Sequence, residues 1–235
     1  DDKKRTVIPL SEMPQSLKDA TIAIEDQRFY TEPAFDWRGI ARAAFINLTR
    51  GGIVQGGSTI TQQLVKKAFL TDEQTPTRKL KELILAVQIS KFYTKDKILE
   101  LYLNEIPYGP TIYGVESASQ AFFGKSAKDL TLAESATLAA IPKAPSRYSP
   151  WGSHLPDLIK RQHLVLSEMK ATGKISDQEY AQAIAAPLSF TQRGTGVKAP
   201  HFVFMVLDEL AAYNDIYGGD FLKQGGLRIT TTLDW

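Results

Sequence analysis

Apolar residues recur every three or four positions along most of this chain, the period of helices that bury one stripe. Leu17, Ala20, Thr21 and Ile24 follow Pro14, a residue suited to a first helical position. No charge interrupts Ala20 to Ile24, which predicts a buried helix closed by Glu25 at the edge of a core. A helix over 37–49 should stop at Arg50-Gly51-Gly52. Another begins near Thr59, which has capping-box spacing to Gln62. Thr59, Gln63 and Lys66 then share one face, with Ile60 and Leu64 on another. Residues 70–77 read as a loop. Thr75-Pro76 opens a helix whose main apolar stripe is Leu80, Leu83, Ile84 and Val87, beside a face of Arg78, Glu82, Leu85 and Ile89.

Further helices are predicted over 95–105, 113–122 (ended by Gly124), 131–141 (Thr131 with Glu134), 156–171 (ended by Gly173), 176–186 (Ser176 with Glu179) and 200–213. Proline-rich turns at 142–150 separate two groups of these, and 187–199 reads as a loop. The β-branched, glycine-bounded run Gly225 to Thr232 is the strand candidate. The expected fold class is mainly α, with a short β segment at the C-terminus.

Composition narrows this picture. A chain of 235 residues suffices for one large or two small domains with a real core. Its 43% hydrophobic and 23% charged residues are those of an ordinary folded protein. Cysteine is absent, which excludes disulfides, thiolate chemistry and cysteine-ligated metals. A net charge of +2 argues for no nucleic-acid partner. Basic residues cluster instead at 66–67, 78–81 and 95–97, a distribution suited to a small anionic group. No run of about 18 apolar residues spans a bilayer, and no signal peptide is seen. The start at Asp1-Asp2-Lys3-Lys4-Arg5 and the stop inside a strand-like run suggest a piece of a longer protein.

Candidate chemistry centres on Gly56 to Lys66, a dense run of uncharged hydrogen-bonding groups, with Glu25-Asp26 before it and Arg78-Lys79-Leu80-Lys81-Glu82 after it. Partial burial raises a carboxyl pKa and a nearby cation lowers it. Glu25 is therefore the carboxyl expected to be raised, and Glu82, one turn from Arg78, the one kept ionised. Such a division suits a glycosyl centre, which needs proton transfer on one side and negative charge on the other. Lys66, Arg78, Lys79 and Lys81 would neutralise a departing phosphate. Each feature also has a plain structural reading. Glu-Asp ends many helices as a solvated cap. An i, i+4 Arg–Glu pair on a surface contributes only about 0.3–0.5 kcal/mol. Ser-Thr-rich runs after glycines are commonly loops and caps. The three histidines have no metal-ligand spacing, and Tyr102, Phe122 and Phe123 read as core. Residue chemistry alone singles out no reaction.

The motifs together do. Glu25-Asp26-Gln27-Arg28-Phe29-Tyr30, Gly57-Ser58-Thr59-Ile60-Thr61-Gln62-Gln63 with Lys66 following, Arg78-Lys79-Leu80-Lys81-Glu82, and Lys95 to Asn104 occur in order. Arg161 to Leu166 adds a weaker fifth block. In these the sequence resembles the peptidoglycan glycosyltransferase domain of penicillin-binding proteins and monofunctional transglycosylases, over roughly residues 6–190. The resemblance implies a two-lobed, lysozyme-like fold over 1–190, with a smaller membrane-proximal lobe about 45–75. Residues 191–235 would then be a C-terminal helix and a linker strand toward a transpeptidase domain, as in class A bifunctional members.

It further implies polymerisation of lipid II into β-1,4 glycan, with inversion and release of undecaprenyl pyrophosphate. Glu25 matches the general base and Glu82 the second carboxylate. Asp26, Phe29, Ser58, Thr59, Gln63, Lys66, Arg78, Lys79 and Asn104 match substrate-binding positions. A divalent cation, magnesium or manganese, with ligands that the sequence does not identify, and no organic cofactor, are implied. So are phosphoglycolipid inhibitors, an extracytoplasmic membrane surface and an N-terminal transmembrane anchor. An exposed apolar surface near 45–75, with Ile53, Val54, Phe69 and Leu70, is expected to meet the membrane.

Two departures stand out. Thr31-Glu32-Pro33-Ala34 replaces a family pattern with histidine at the Glu32 position and glycine at Ala34, and Arg161-Gln162 stands where two arginines are frequent. The alternatives are therefore a glycan-cleaving lysozyme-like or lytic enzyme, which needs no pyrophosphate cations, and a weakened glycan- or lipid-binding module.

Overall fold

The computed structural model describes residues 6–31, 58–69 and 76–192, and residues 202, 205, 206, 209 and 230 singly. Residues 1–192 form one compact unit and 193–235 a second. The described part of the first unit is mainly α. Its helices are α1 (Gln15–Glu25), α2 (Ile60–Phe69), α3 (Pro76–Phe92), α4 (Lys95–Glu105), α5 (Val115–Phe123), α6 (Leu132–Ala140), α7 (Leu155–Ala171) and α8 (Asp177–Ala185). Short 3-10 turns at Leu10–Glu12, Ala127–Asp129 and Ile141–Lys143 join them.

The helix boundaries follow local chemistry. Pro14 is the residue before α1, one position earlier than expected. Thr131 with Glu134 and Ser176 with Glu179 close capping boxes at the starts of α6 and α8. Gly124 ends α5 in the left-handed region. Two packing groups result. In one, α6 lies against α1 and α7, and α8 against α7. Ala133, Ser135, Ala136, Ala139 and Ala140 are all buried there, and such small side chains let the neighbouring helices come close. In the other, α2 packs on α3 and α4. One buried hydrophobic cluster, including Leu17, Ile60, Leu64, Leu99, Tyr102 and Leu138, runs through both.

The N-terminal segment lies along α4. Asn104 holds Ile8 from both sides: its Oδ1 accepts from the Ile8 N–H at 3.1 Å and its Nδ2 donates to the Ile8 carbonyl at 2.9 Å. The Leu10 N–H donates to Glu100 Oε2 at 3.0 Å. Gly114, at φ +79°, closes the turn after α4, and a Cβ there would lie 2.7 Å from the Asn104 carbonyl oxygen.

The apolar stripe of α3 does not face inward as a group. Leu80 and Ile84 are 58% and 50% exposed, whereas Glu82 and Ala86 are 2% and 0% exposed. The adjacent face is the buried one, and Glu82 can be buried on it because Lys79 and Arg78 neutralise it.

Among the described residues no sheet forms; one antiparallel bridge joins Pro107 and Tyr113. The helix expected over 37–49 lies outside the described residues. So does the strand expected over 225–232, apart from Thr230, which is in no strand. Of the helix expected over 200–213, residues 202, 205, 206 and 209 are described and helical. Glu32, Pro33, Ala34, Ile53, Val54 and Leu70, with the side chain of Phe69, also lie outside the described set. No described helix is long and apolar enough to cross a membrane.

Candidate active site

Glu25 is the last residue of α1 and is half-buried. Beyond it the chain turns sharply, with the Phe29 N–H donating to the Asp26 carbonyl and the Thr31 N–H to the Arg28 carbonyl, both at 3.0 Å. Phe29 is 1% exposed and anchors this turn, with Lys95 Nζ 4.7 Å above its ring. Tyr30 Oη donates to Asp96 Oδ1 at 2.8 Å and ties the turn to α4. Burial, then that hydrogen bond, push the Tyr30 hydroxyl up to about 12.

The turn delivers two carboxylates to the start of α2. Asp26 Oδ2 accepts from the Ile60 N–H at 3.1 Å, satisfying an otherwise unpaired first-turn amide with a negative charge at the positive end of the helix. Thr59 Oγ1 accepts from the Gln62 N–H at 3.3 Å. One turn into α2, Gln63 Nε2 donates to Glu25 Oε2 at 2.7 Å. The other end of the same amide accepts from Tyr102 Oη of α4 at 3.2 Å. Tyr102 is fully buried, and burial, followed by the charge of Glu25, raises its pKa well above the ordinary phenol range.

A second cluster sits on α3. Lys79 Nζ donates to Glu82 Oε1 at 2.5 Å, to Ser58 Oγ at 3.1 Å and to Gln62 Oε1 at 3.5 Å. Arg78 Nη1 reaches Glu82 Oε2 at 3.4 Å. Ser58 joins the clusters, since its carbonyl accepts from Gln63 Nε2 at 3.5 Å while its hydroxyl accepts from Lys79. Lys66 follows Gln63 on the same face of α2 and is partly buried. The arrangement therefore pairs a carboxylate that keeps one oxygen clear of Gln63 with a cationic cluster carrying a net positive charge.

The structure thus brings together Glu25, Asp26, Ser58, Thr59, Gln63, Arg78, Lys79 and Glu82, with Lys66 one turn beyond Gln63 on the same face of α2. It does not bring Asn104 or the Phe29 side chain into this set. Asn104 lies two residues beyond Tyr102, about 200° around α4, and its amide is engaged by Ile8 and the Glu100 carbonyl. Phe29 is core. Arg161 and Gln162 hold α7 to α6, bonding the carbonyls of Ala140 at 2.9 Å and Ala133 at 3.4 Å. Sequence reasoning read Tyr102 as core alone and gave Gln62 no role beyond its cap. The only prior signal was a polar tip at each of these helix positions.

The described residues offer no dedicated divalent-cation site. No three His, Asp or Glu side chains group together, and both Glu82 oxygens are engaged by cations.

Residues 1–170 match the transglycosylase family. The chain belongs to that family. It is therefore a peptidoglycan glycosyltransferase domain, an enzyme of glycosyl transfer. Penicillin-binding protein 1A of Aquifex aeolicus (strain VF5) is 41% identical over 232 residues, covering 99% of this chain and 31% of the relative. Penicillin-binding protein 1F of Bacillus subtilis (strain 168) is 40% identical over 234 residues, covering 99% and 32%. Among solved structures, penicillin-binding protein 1A from Haemophilus influenzae is similar with a TM-score of 0.53 and 26% identity, covering 93% of this chain and 22% of that one. The transglycosylase chain thus spans about a third of the length of these curated relatives.

Proposed function

We propose that this domain polymerises lipid II at an extracytoplasmic membrane surface, with Glu25 as general base. The observation that carries the proposal is the half-buried Glu25 carboxylate, held through Oε2 by Gln63 and linked through Ser58 to the Lys79–Arg78–Glu82 cluster. The acceptor sugar's 4-hydroxyl loses its proton to Glu25 as its oxygen bonds to the anomeric carbon of the donor. The bond from that carbon to the pyrophosphate breaks on the opposite face, so configuration inverts. Lys79, with its partly exposed side chain, and Arg78 offset the charge that builds on the leaving pyrophosphate. Glu82 fixes both cations in place. The described side chains form no site for a divalent cation, so the charge on the leaving pyrophosphate is offset by Arg78 and Lys79.

The test supplies lipid II, and separately preformed glycan, to the detergent-solubilised domain. Polymer should form, and Glu25→Gln should slow it about 10²–10⁴-fold, the usual contribution of a general base. Cleavage of preformed glycan without polymerisation would establish the lytic alternative. A phosphoglycolipid that mimics the donor should compete with lipid II.

A further inference from the structure

We infer that Tyr102 is a positioning residue for the reaction: its hydroxyl fixes the Gln63 amide, and Gln63 in turn leaves Glu25 Oε1 as the oxygen that accepts the proton. The inference rests on the reading of Glu25 as the base.

An amide side chain is nearly symmetric in outline, so its partners decide which end points where. At one end of Gln63, Nε2 lies 2.7 Å from Glu25 Oε2. At the other, Oε1 lies 3.2 Å from Tyr102 Oη. Reversing the amide would press an oxygen against the carboxylate. It would also strand the buried Tyr102 proton, for which the described residues offer no second acceptor.

While Glu25 is ionised, both partners demand the same orientation. Once Glu25 has taken a proton, the carboxyl no longer dictates it, and Tyr102 alone does. Tyr102 stays a donor throughout, because burial keeps its phenol protonated, reinforced by the charge of Glu25 while that group is ionised. Oε2 is therefore occupied by an amide N–H at every stage. The proton from the acceptor hydroxyl goes to Oε1, while that hydroxyl's oxygen bonds to the anomeric carbon and the pyrophosphate leaves with the electrons of its broken C–O bond.

Tyr108 supplies the control. It is likewise fully buried, and burial and then Glu25 raise its pKa too, yet among the described residues its hydroxyl has no hydrogen-bond partner. A buried hydroxyl near Glu25 is thus present in both residues, but of the two only Tyr102 is hydrogen-bonded to Gln63 among the described residues.

The experiment is a double-mutant cycle in lipid II polymerisation, on Tyr102→Phe, Gln63→Met and the pair, with thermal unfolding of each and Tyr108→Phe alongside. Gln63→Met should lower kcat about tenfold or more, the scale of one hydrogen bond to a charged group, and Tyr102→Phe about three- to tenfold, the scale of one to a neutral amide. KM should change little. The double variant should be no slower than Gln63→Met, since Tyr102 acts only through that amide. Tyr108→Phe should stay within about twofold of wild type. Wild-type kcat in folded Tyr102→Phe overturns the inference. So does multiplication of the two losses in the double variant, or an equal loss in Tyr108→Phe. If Tyr102→Phe does not fold, Gln63→Met decides alone, and undiminished kcat there overturns it. Wild-type rates in Glu25→Gln would instead remove the parent reading, a separate result.

Discussion

Replacing Lys79 with methionine removes the cation closest to a carboxylate that is almost wholly out of water. Glu82 is 2% exposed and receives Lys79 Nζ at 2.5 Å, while Arg78 stands at the longer 3.4 Å. Breaking a fully buried pair costs about 3–5 kcal/mol, because the remaining charge is left in a poor dielectric. The Lys79 side chain is 41% exposed, so the pair is not fully buried and solvent screens it in part. The expected loss falls to about 1–3 kcal/mol after that screening. Near 2 kcal/mol this lowers Tm by roughly 4–8 °C for a domain of this size. Denaturant and thermal unfolding measure it. The pair Lys79→Met with Glu82→Gln should recover at least half of the loss, because a neutral amide needs no counter-charge. Polymerisation should not recover with it, since Lys79 also reaches Ser58 and Gln62 and is assigned to the leaving pyrophosphate. A Lys79→Met protein as stable as wild type would refute the argument. So would a double variant whose loss equals the sum of the singles.

Asn104→Ala should cost about 2–4 kcal/mol, by freeing the Ile8 N–H and carbonyl together, with KM for lipid II unchanged in steady-state kinetics; a raised KM at normal stability would return Asn104 to the substrate site. Glu100 has its pKa lowered by the Lys97 ammonium and then by the Leu10 N–H. The folded form therefore binds fewer protons than the unfolded one as the pH falls, and the stability that Glu100 contributes is present above its unfolded pKa of about 4.3 and lost as pH falls through the lower folded value. Hydrogen exchange of the Leu10 amide, corrected for its intrinsic rate, should accelerate over that acidic window in wild type and show no such pH step in Glu100→Gln.

What was legible in the sequence was whatever a local rule enforces. The capping boxes at Thr131 and Ser176, the glycine stop at Gly124 and the end of α1 at Glu25 each depend on residues within a turn of one another. The outward placement of Leu80 and Ile84 was not legible, because the period of α3 allows two faces. The choice between them is made by the helix that packs on α3, which the period does not name. Glu82 is tolerated on the buried face because Lys79 and Arg78 neutralise it. The same reasoning explains Asn104 and Tyr102, two residues apart on α4. Both have polar tips on buried positions of that helix. Their roles diverge because one face of α4 meets a bare backbone segment at Ile8 and the other meets the amide of Gln63. A side chain buried among apolar neighbours is placed by the partner that satisfies it, and that partner lies 96 residues away for Asn104 and 39 for Tyr102. Spacing within a motif cannot encode such a partner. The blocks therefore reveal which polar groups converge, while the pairing among them, and with it the oxygen of Glu25 that is left to react, comes only from the packed helices.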